Sequence, residues 1–118
     1  MSGISCHVLD TALGRPAAGV QVRLERLGGG SADEASSWRT LGRGITSADG
    51  RAAGLEQNAP RELGRHRITF ETEEYFNRTG QVVFYPRVQV QFSVESPSEN
   101  YHVPLLLSPF GYSTYRGS

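Results

Sequence analysis

A second cysteine is absent. Cys6 is the only one in 118 residues, so no intrachain disulfide can form, which suits a reducing compartment. A basic block is absent as well. Twelve basic and twelve acidic residues give a formal net charge of zero, and arginines sit beside acids in RLER and PRELGRHR. Nothing therefore points to nucleic acid or an anionic membrane as a partner. No apolar run approaches the roughly 20 residues of a membrane helix. The start, MSGISCHVLD, has neither the basic nor the long apolar region of a secretory signal. These absences leave a soluble, intracellular protein as the expectation. The length suits one domain over residues 1–118. A chain of this size buries only about two-thirds of its unfolded surface, so association with copies of itself would add to a thin core.

What is present is mostly period-two patterning. Ile4 to Asp10 and Val20 to Arg26 alternate apolar with polar residues, as half-buried strands do. Trp38 to Leu41, GRHRITFET, RVQVQFSV, YHVPLLLS and GYSTYRGS read as further strands, with Asp49-Gly50 in TSADGR as a tight turn. LGGGSADEASS reads as an exposed loop. TEEYFNRTG, with a threonine, a following glutamate and a closing glycine, reads as a helix of about two turns. Seven to eight short strands and one short helix predict an all-β sandwich. Pro104, inside an apparent strand, predicts an edge position or a bulge there.

The chain closes on Tyr115-Arg116-Gly117-Ser118 directly after an apolar strand. Termini fray unless something ties them down, so this segment is expected to be docked. CHVLDTALGRPAAGVQVRLE, TSADGR, ETEEYF and YHVPLLLSPFGYSTYRGS together resemble the 5-hydroxyisourate hydrolases, the transthyretin-like enzymes of urate breakdown. The resemblance runs from about Ser5 to the last residue. It implies a prealbumin-type β-sandwich that assembles as a homotetramer, a dimer of dimers, with active sites in the channel between the dimers. It implies hydrolysis of 5-hydroxyisourate to 2-oxo-4-hydroxy-4-carboxy-5-ureidoimidazoline without metal or organic cofactor, and a cytoplasmic setting, or a peroxisomal one in a eukaryote. By the same resemblance His7, Arg51, His102 and Ser118 are the catalytic residues, and His7, Arg51, Tyr115, Arg116 and Gly117 bind substrate. Arg87 in FYPRV, where an acid is expected, and Asn100 in NYHVPL, where a histidine is common, depart from the pattern.

Those residue types fit the chemistry. Opening a cyclic acyl-urea bond needs an activated water, a sink for negative charge and a proton for the leaving nitrogen. Histidine, with a reference pKa of about 6.5, moves protons near neutral pH. Arginine stays charged and presents a planar fork of donors to carbonyls and oxyanions. The α-carboxylate of Ser118 could orient a histidine or accept from ring N–H groups, and Gly117 would allow close backbone approach. Period-two geometry puts Tyr115 and Gly117 on one side and Arg116 and Ser118 on the other. It turns His7 away from the core side of Ile4, Cys6 and Val8, and His102 away from that of Tyr101, Val103, Leu105 and Leu107. A Cys6–His7 dyad is disfavoured for the same reason. His66, between Arg65 and Arg67, reads as exposed or structural. The alternative to an enzyme is a transthyretin-type carrier of small ligands.

Overall fold

The structure, a computed structural model, describes residues 3–118. In chain order the elements are β1 (Ile4–Asp10), β2 (Arg15–Pro16), β3 (Gln21–Leu27), β4 (Trp38–Ile45), β5 (Arg51–Ala52), β6 (Gly64–Glu71), α1 (Thr72–Arg78), β7 (Val88–Val94), β8 (Tyr101–Ser108) and β9 (Gly111–Thr114). The first sheet has the order β2-β1-β8-β9, with β5 also pairing β1; the second has the order β4-β3-β6-β7. The expected sandwich is therefore observed, with seven strands of four or more residues and two of two residues.

Alternation decides which side of each strand is buried. Ile4, Cys6 and Val8 of β1 and Tyr101, Val103, Leu105 and Leu107 of β8 pack inward against Leu24, Ile68 and Phe70 of the facing sheet. Ser5, His7, Leu9 and His102 are left on the outer face. Burial pushes the Cys6 thiol up to about 12, so it holds no reactive thiolate at neutral pH. His66 lies wholly inside. Its Nδ1 shares a hydrogen bond with the Gly64 carbonyl at 3.0 Å, and its ring lies 5.9 Å from that of Phe92. It is a structural histidine, not an exposed one.

Three local readings change. Helix α1 begins at Thr72, but Thr72 is not its cap: its hydroxyl donates to the Tyr85 carbonyl at 2.6 Å, tying the helix to the segment before β7. Strand β4, read from the sequence over Trp38 to Leu41, runs on through Gly42 and Gly44 to Ile45. A Cβ on Gly42 would stand 1.9 Å from the Leu55 carbonyl oxygen, so this glycine marks a backbone crossing within a strand. Pro104 is in neither an edge strand nor a bulge. It lies in β8, between β1 and β9, and shapes the site described below.

At the end of β1, Asp10 is 1% exposed. Its Oδ1 accepts from the Ala12 and Leu13 amides, and its Oδ2 from the Tyr75 hydroxyl at 2.6 Å and the Gln81 amide at 3.0 Å. Burial acts to raise the pKa of this carboxyl, but the hydrogen bonds outweigh it and hold it below its ordinary 3.8. A depressed folded pKa stabilises above the ordinary value, and that contribution is lost as pH falls through the folded value. Asp10→Ala leaves the buried Tyr75 phenol without its acceptor and removes the bonds that Asp10 accepts from the Ala12, Leu13 and Gln81 amides. It is expected to cost about 3 kcal/mol, read as a lower urea midpoint at unchanged slope, and to flatten the loss of stability below about pH 4.

Candidate active site

Strand register brings the expected residues together. β5 pairs antiparallel with β1 so that Arg51 stands opposite His7. β8 pairs parallel with β1, placing Ser5 beside His102 and His7 beside Pro104. His7 and His102 therefore lie diagonally on one outer face, their ring centroids 6.4 Å apart. A cleft of about 650 Å3 at this edge is lined by Ser5, Arg51, His102 and Ser118 together with Gly54, Gln57 and Asn58.

The two imidazoles are held differently. His7 Nε2 lies 2.9 Å from the Asp49 carbonyl. A carbonyl only accepts, so that nitrogen carries a proton and neutral His7 has its lone pair on Nδ1. His102 Nδ1 lies 2.8 Å from the Ser5 hydroxyl, and its Nε2 makes no hydrogen bond among the described residues. Burial, then the Arg51 guanidinium and His7, hold the His102 pKa below its ordinary 6.5. His102 is thus neutral at pH 7 and can accept a proton. Arg51 Nε lies 3.5 Å from the Asp49 carboxylate, which also accepts from the Ser47 hydroxyl. One turn, residues 47–50, therefore orients both His7 and Arg51. The chain contains no lysine, so no amine nucleophile competes for a role.

The C-terminal segment is docked. β9 pairs with β8 from Ser108↔Gly111 to Leu105↔Thr114, and an isolated bridge, His102↔Gly117, continues the same register. The interruption falls at Pro104. Proline has no N–H to donate across the ladder, and its carbonyl accepts from the Thr114 hydroxyl at 2.6 Å instead. Pairing resumes where the Gly117 amide donates to the His102 carbonyl at 2.8 Å. Tyr115, opposite the gap, is 56% exposed and lines a shallow groove with His102. Arg116 turns elsewhere: its guanidinium lies 4.7 Å over the Tyr101 ring and 3.4 Å from the Glu99 carboxylate. The structure thus brings Arg51, His102 and Ser118 to one cleft with His7 beside it; Tyr115 lines the neighbouring groove, Gly117 packs against His102, and the Arg116 guanidinium is not in the cleft.

Two contributors escaped the sequence reading, Ser5 and Asp49. Both carried a signal: each stands two residues before a predicted site residue, Ser5 before His7 and Asp49 before Arg51, and so shares its face or turn. The departures are absorbed locally. Arg87 pairs with Glu71 at 2.9 Å. The Asn100 side chain accepts from the Gly3 amide at 2.8 Å and lines the cleft.

Comparison with known proteins places the chain in a family. The model of the HIUase/Transthyretin family matches residues 4–117. The chain is 43% identical to the 5-hydroxyisourate hydrolase of Mus musculus over 117 residues, covering 99% of this chain and 96% of that one. The solved structure of Klebsiella pneumoniae 5-hydroxyisourate hydrolase superposes with a TM-score of 0.81 at 39% identity, covering all of both chains. Sea bream transthyretin, solved with thyroxine, superposes with a TM-score of 0.78 at 29% identity, covering 97% of this chain and 93% of that one.

Proposed function

The chain belongs to the HIUase/Transthyretin family, and from that premise we propose that it hydrolyses 5-hydroxyisourate to 2-oxo-4-hydroxy-4-carboxy-5-ureidoimidazoline in urate breakdown. The observation that carries the reading is the convergence of two imidazoles and a guanidinium on one outer face beside the docked end of the chain.

The chemistry follows from the atoms available. Water adds to the ring carbonyl as its proton passes to His102 Nε2, the ring nitrogen of that residue without a hydrogen bond. Arg51 faces the oxygen that gains charge and stabilises it. As the carbon–nitrogen bond breaks, the proton held by His102 passes to the leaving nitrogen. One water is consumed, the new carboxylic acid ionises to a carboxylate and gives its proton to solvent, and the histidine is regenerated. His7, fixed by the Asp49 carbonyl, presents Nδ1 to a substrate N–H or to the attacking water. Ser118 closes the cleft, Tyr115 reaches the substrate from the groove it shares with His102, Gly117 lets the terminus lie close against His102, and Arg116 contributes through the main chain it anchors. The route uses no metal or organic cofactor.

Residues 1–118 act as a single hydrolase domain, and the working form is a homotetramer. In support, Val82, Phe84 and Phe110 are 59%, 59% and 68% exposed. Phe84 and Phe110 form a continuous surface with Tyr85 and Tyr112, an arrangement suited to burial against another copy. Among the described residues no helix is long and apolar enough to cross a membrane; we place the protein in the cytoplasm. The decisive experiment generates 5-hydroxyisourate with urate oxidase in the cuvette and follows its decay by absorbance. Faster decay with this protein is expected. An unchanged decay, joined to saturable thyroxine binding, would favour the carrier reading, which the transthyretin-like fold permits.

A further inference from the structure

We infer that Ser5 is a positioning residue for hydrolysis: its hydroxyl accepts a hydrogen bond from His102 Nδ1–H and so keeps the lone pair of His102 on Nε2, facing the cleft. The inference rests on the hydrolase reading above.

Its basis is geometric. Ser5 and His102 are direct partners in the parallel β1–β8 pairing, so their side chains leave the same face at the same level. The oxygen–nitrogen distance is 2.8 Å. Both residues line the cleft. The rigid pairing of two central strands, not a mobile loop, sets the distance. With Nδ1 engaged, Nε2 alone can meet water. A neutral imidazole in water favours the proton on Nε2, which is the wrong tautomer for a base acting through that atom; the Ser5 hydroxyl can donate or accept, and as an acceptor at 2.8 Å it selects the Nδ1–H tautomer. The same bond persists when His102 becomes an imidazolium, so the hydroxyl supports both halves of the cycle. His7 has no such freedom, because its carbonyl partner fixes its proton on Nε2.

The charged and titratable groups around His102 are His7 from β1, Arg51 from β5, Glu56 from the segment after β5, Tyr101 beside it on β8, and Tyr115, Arg116 and the Ser118 end from the C-terminal segment. None of them accepts a hydrogen bond from Nδ1 among the described residues, which leaves Ser5 as its only partner there.

The test compares wild type, Ser5→Ala and Ser5→Thr in two measurements. Nitrogen-15 spectra of the imidazoles in the resting protein report the His102 tautomer, and steady-state assays across pH report turnover. Ser5→Ala is expected to move neutral His102 toward the Nε2–H tautomer. It should lower kcat about tenfold with KM within twofold, and shift the acid limb of the profile to lower pH, because the charged form loses its acceptor. Ser5→Thr keeps the hydroxyl and should restore most of the turnover. Unchanged tautomer, kcat and acid limb in folded Ser5→Ala would overturn the inference; so would a loss that Ser5→Thr does not repair. If wild type itself fails to turn over, the hydrolase reading fails, and the nitrogen-15 spectra then decide the Ser5 bond on their own.

Discussion

Gly117→Ala is expected to reduce kcat/KM by a factor of about 100 or more while leaving the sandwich folded. A Cβ at this position would stand 2.5 Å from His102 Cδ2, 3.2 Å from His102 Cγ and 3.2 Å from Pro104 Cγ. The proline ring is rigid and sits in a central strand, so it cannot yield. Either the imidazole rotates off the Ser5 hydroxyl, or the Gly117 amide leaves the His102 carbonyl and the Ser118 end swings out of the cleft. Both results misplace a reacting group by about an ångström, a displacement that costs about a hundredfold in well-positioned sites. The substitution touches no part of the core, so the melting temperature should stay within a few degrees. Activity assays beside thermal melts decide the matter. Near-normal turnover by Gly117→Ala would show that the close fit of the terminus against His102 has no part in catalysis.

Arg51→Gln should lower kcat by about a thousandfold and shift the pH profile as well. The first effect is the loss of a fixed cation facing the oxygen that gains charge, for which about 3–4 kcal/mol is the usual scale. The second follows from linkage. Burial is the largest influence depressing the His102 pKa, and Arg51 is next. Removing the guanidinium therefore lets that pKa rise, and less of the histidine is unprotonated at neutral pH. The acid limb of the residual activity should move to higher pH, opposite to the shift expected for Ser5→Ala. Single-turnover rates across pH separate the two effects. A drop in rate with a stationary acid limb would mean that Arg51 acts on the substrate alone. Freed from Arg51, the Asp49 carboxylate keeps its bond from Ser47, so the turn that holds His7 should survive the change.

Much of this arrangement is legible in the sequence because it rests on period two. Alternation from Ile4 to Asp10 marks the strand containing His7, with the bounds observed. Parity alone put His7 and His102 on the solvent side of their strands. The wrong readings concern contacts between segments distant in sequence. The strand read over Trp38 to Leu41 continues through Gly42 and Gly44, where the Leu55 backbone crosses it. Pro104 suggests an edge until β9 is seen to break its ladder opposite it. Sequence places Arg116 among substrate ligands by resemblance, whereas Tyr101 and Glu99 occupy its guanidinium in the structure. Ser5 becomes meaningful only once β1 and β8 are known to run parallel in that register, and no local pattern in either strand encodes their pairing.

That parallel pairing also sets a clock. Ser5 and His102 meet across a separation of 97 residues, and every residue of the cleft waits on their strands to join. Contacts this remote are among the slowest to form, since a long loop must close before they are rewarded. Pairings closer in sequence, such as β3–β4 and β6–β7, can form earlier and give a strong β signal by circular dichroism. Hydrolytic competence should therefore return only in the last refolding phase, well after most of the spectroscopic signal has recovered.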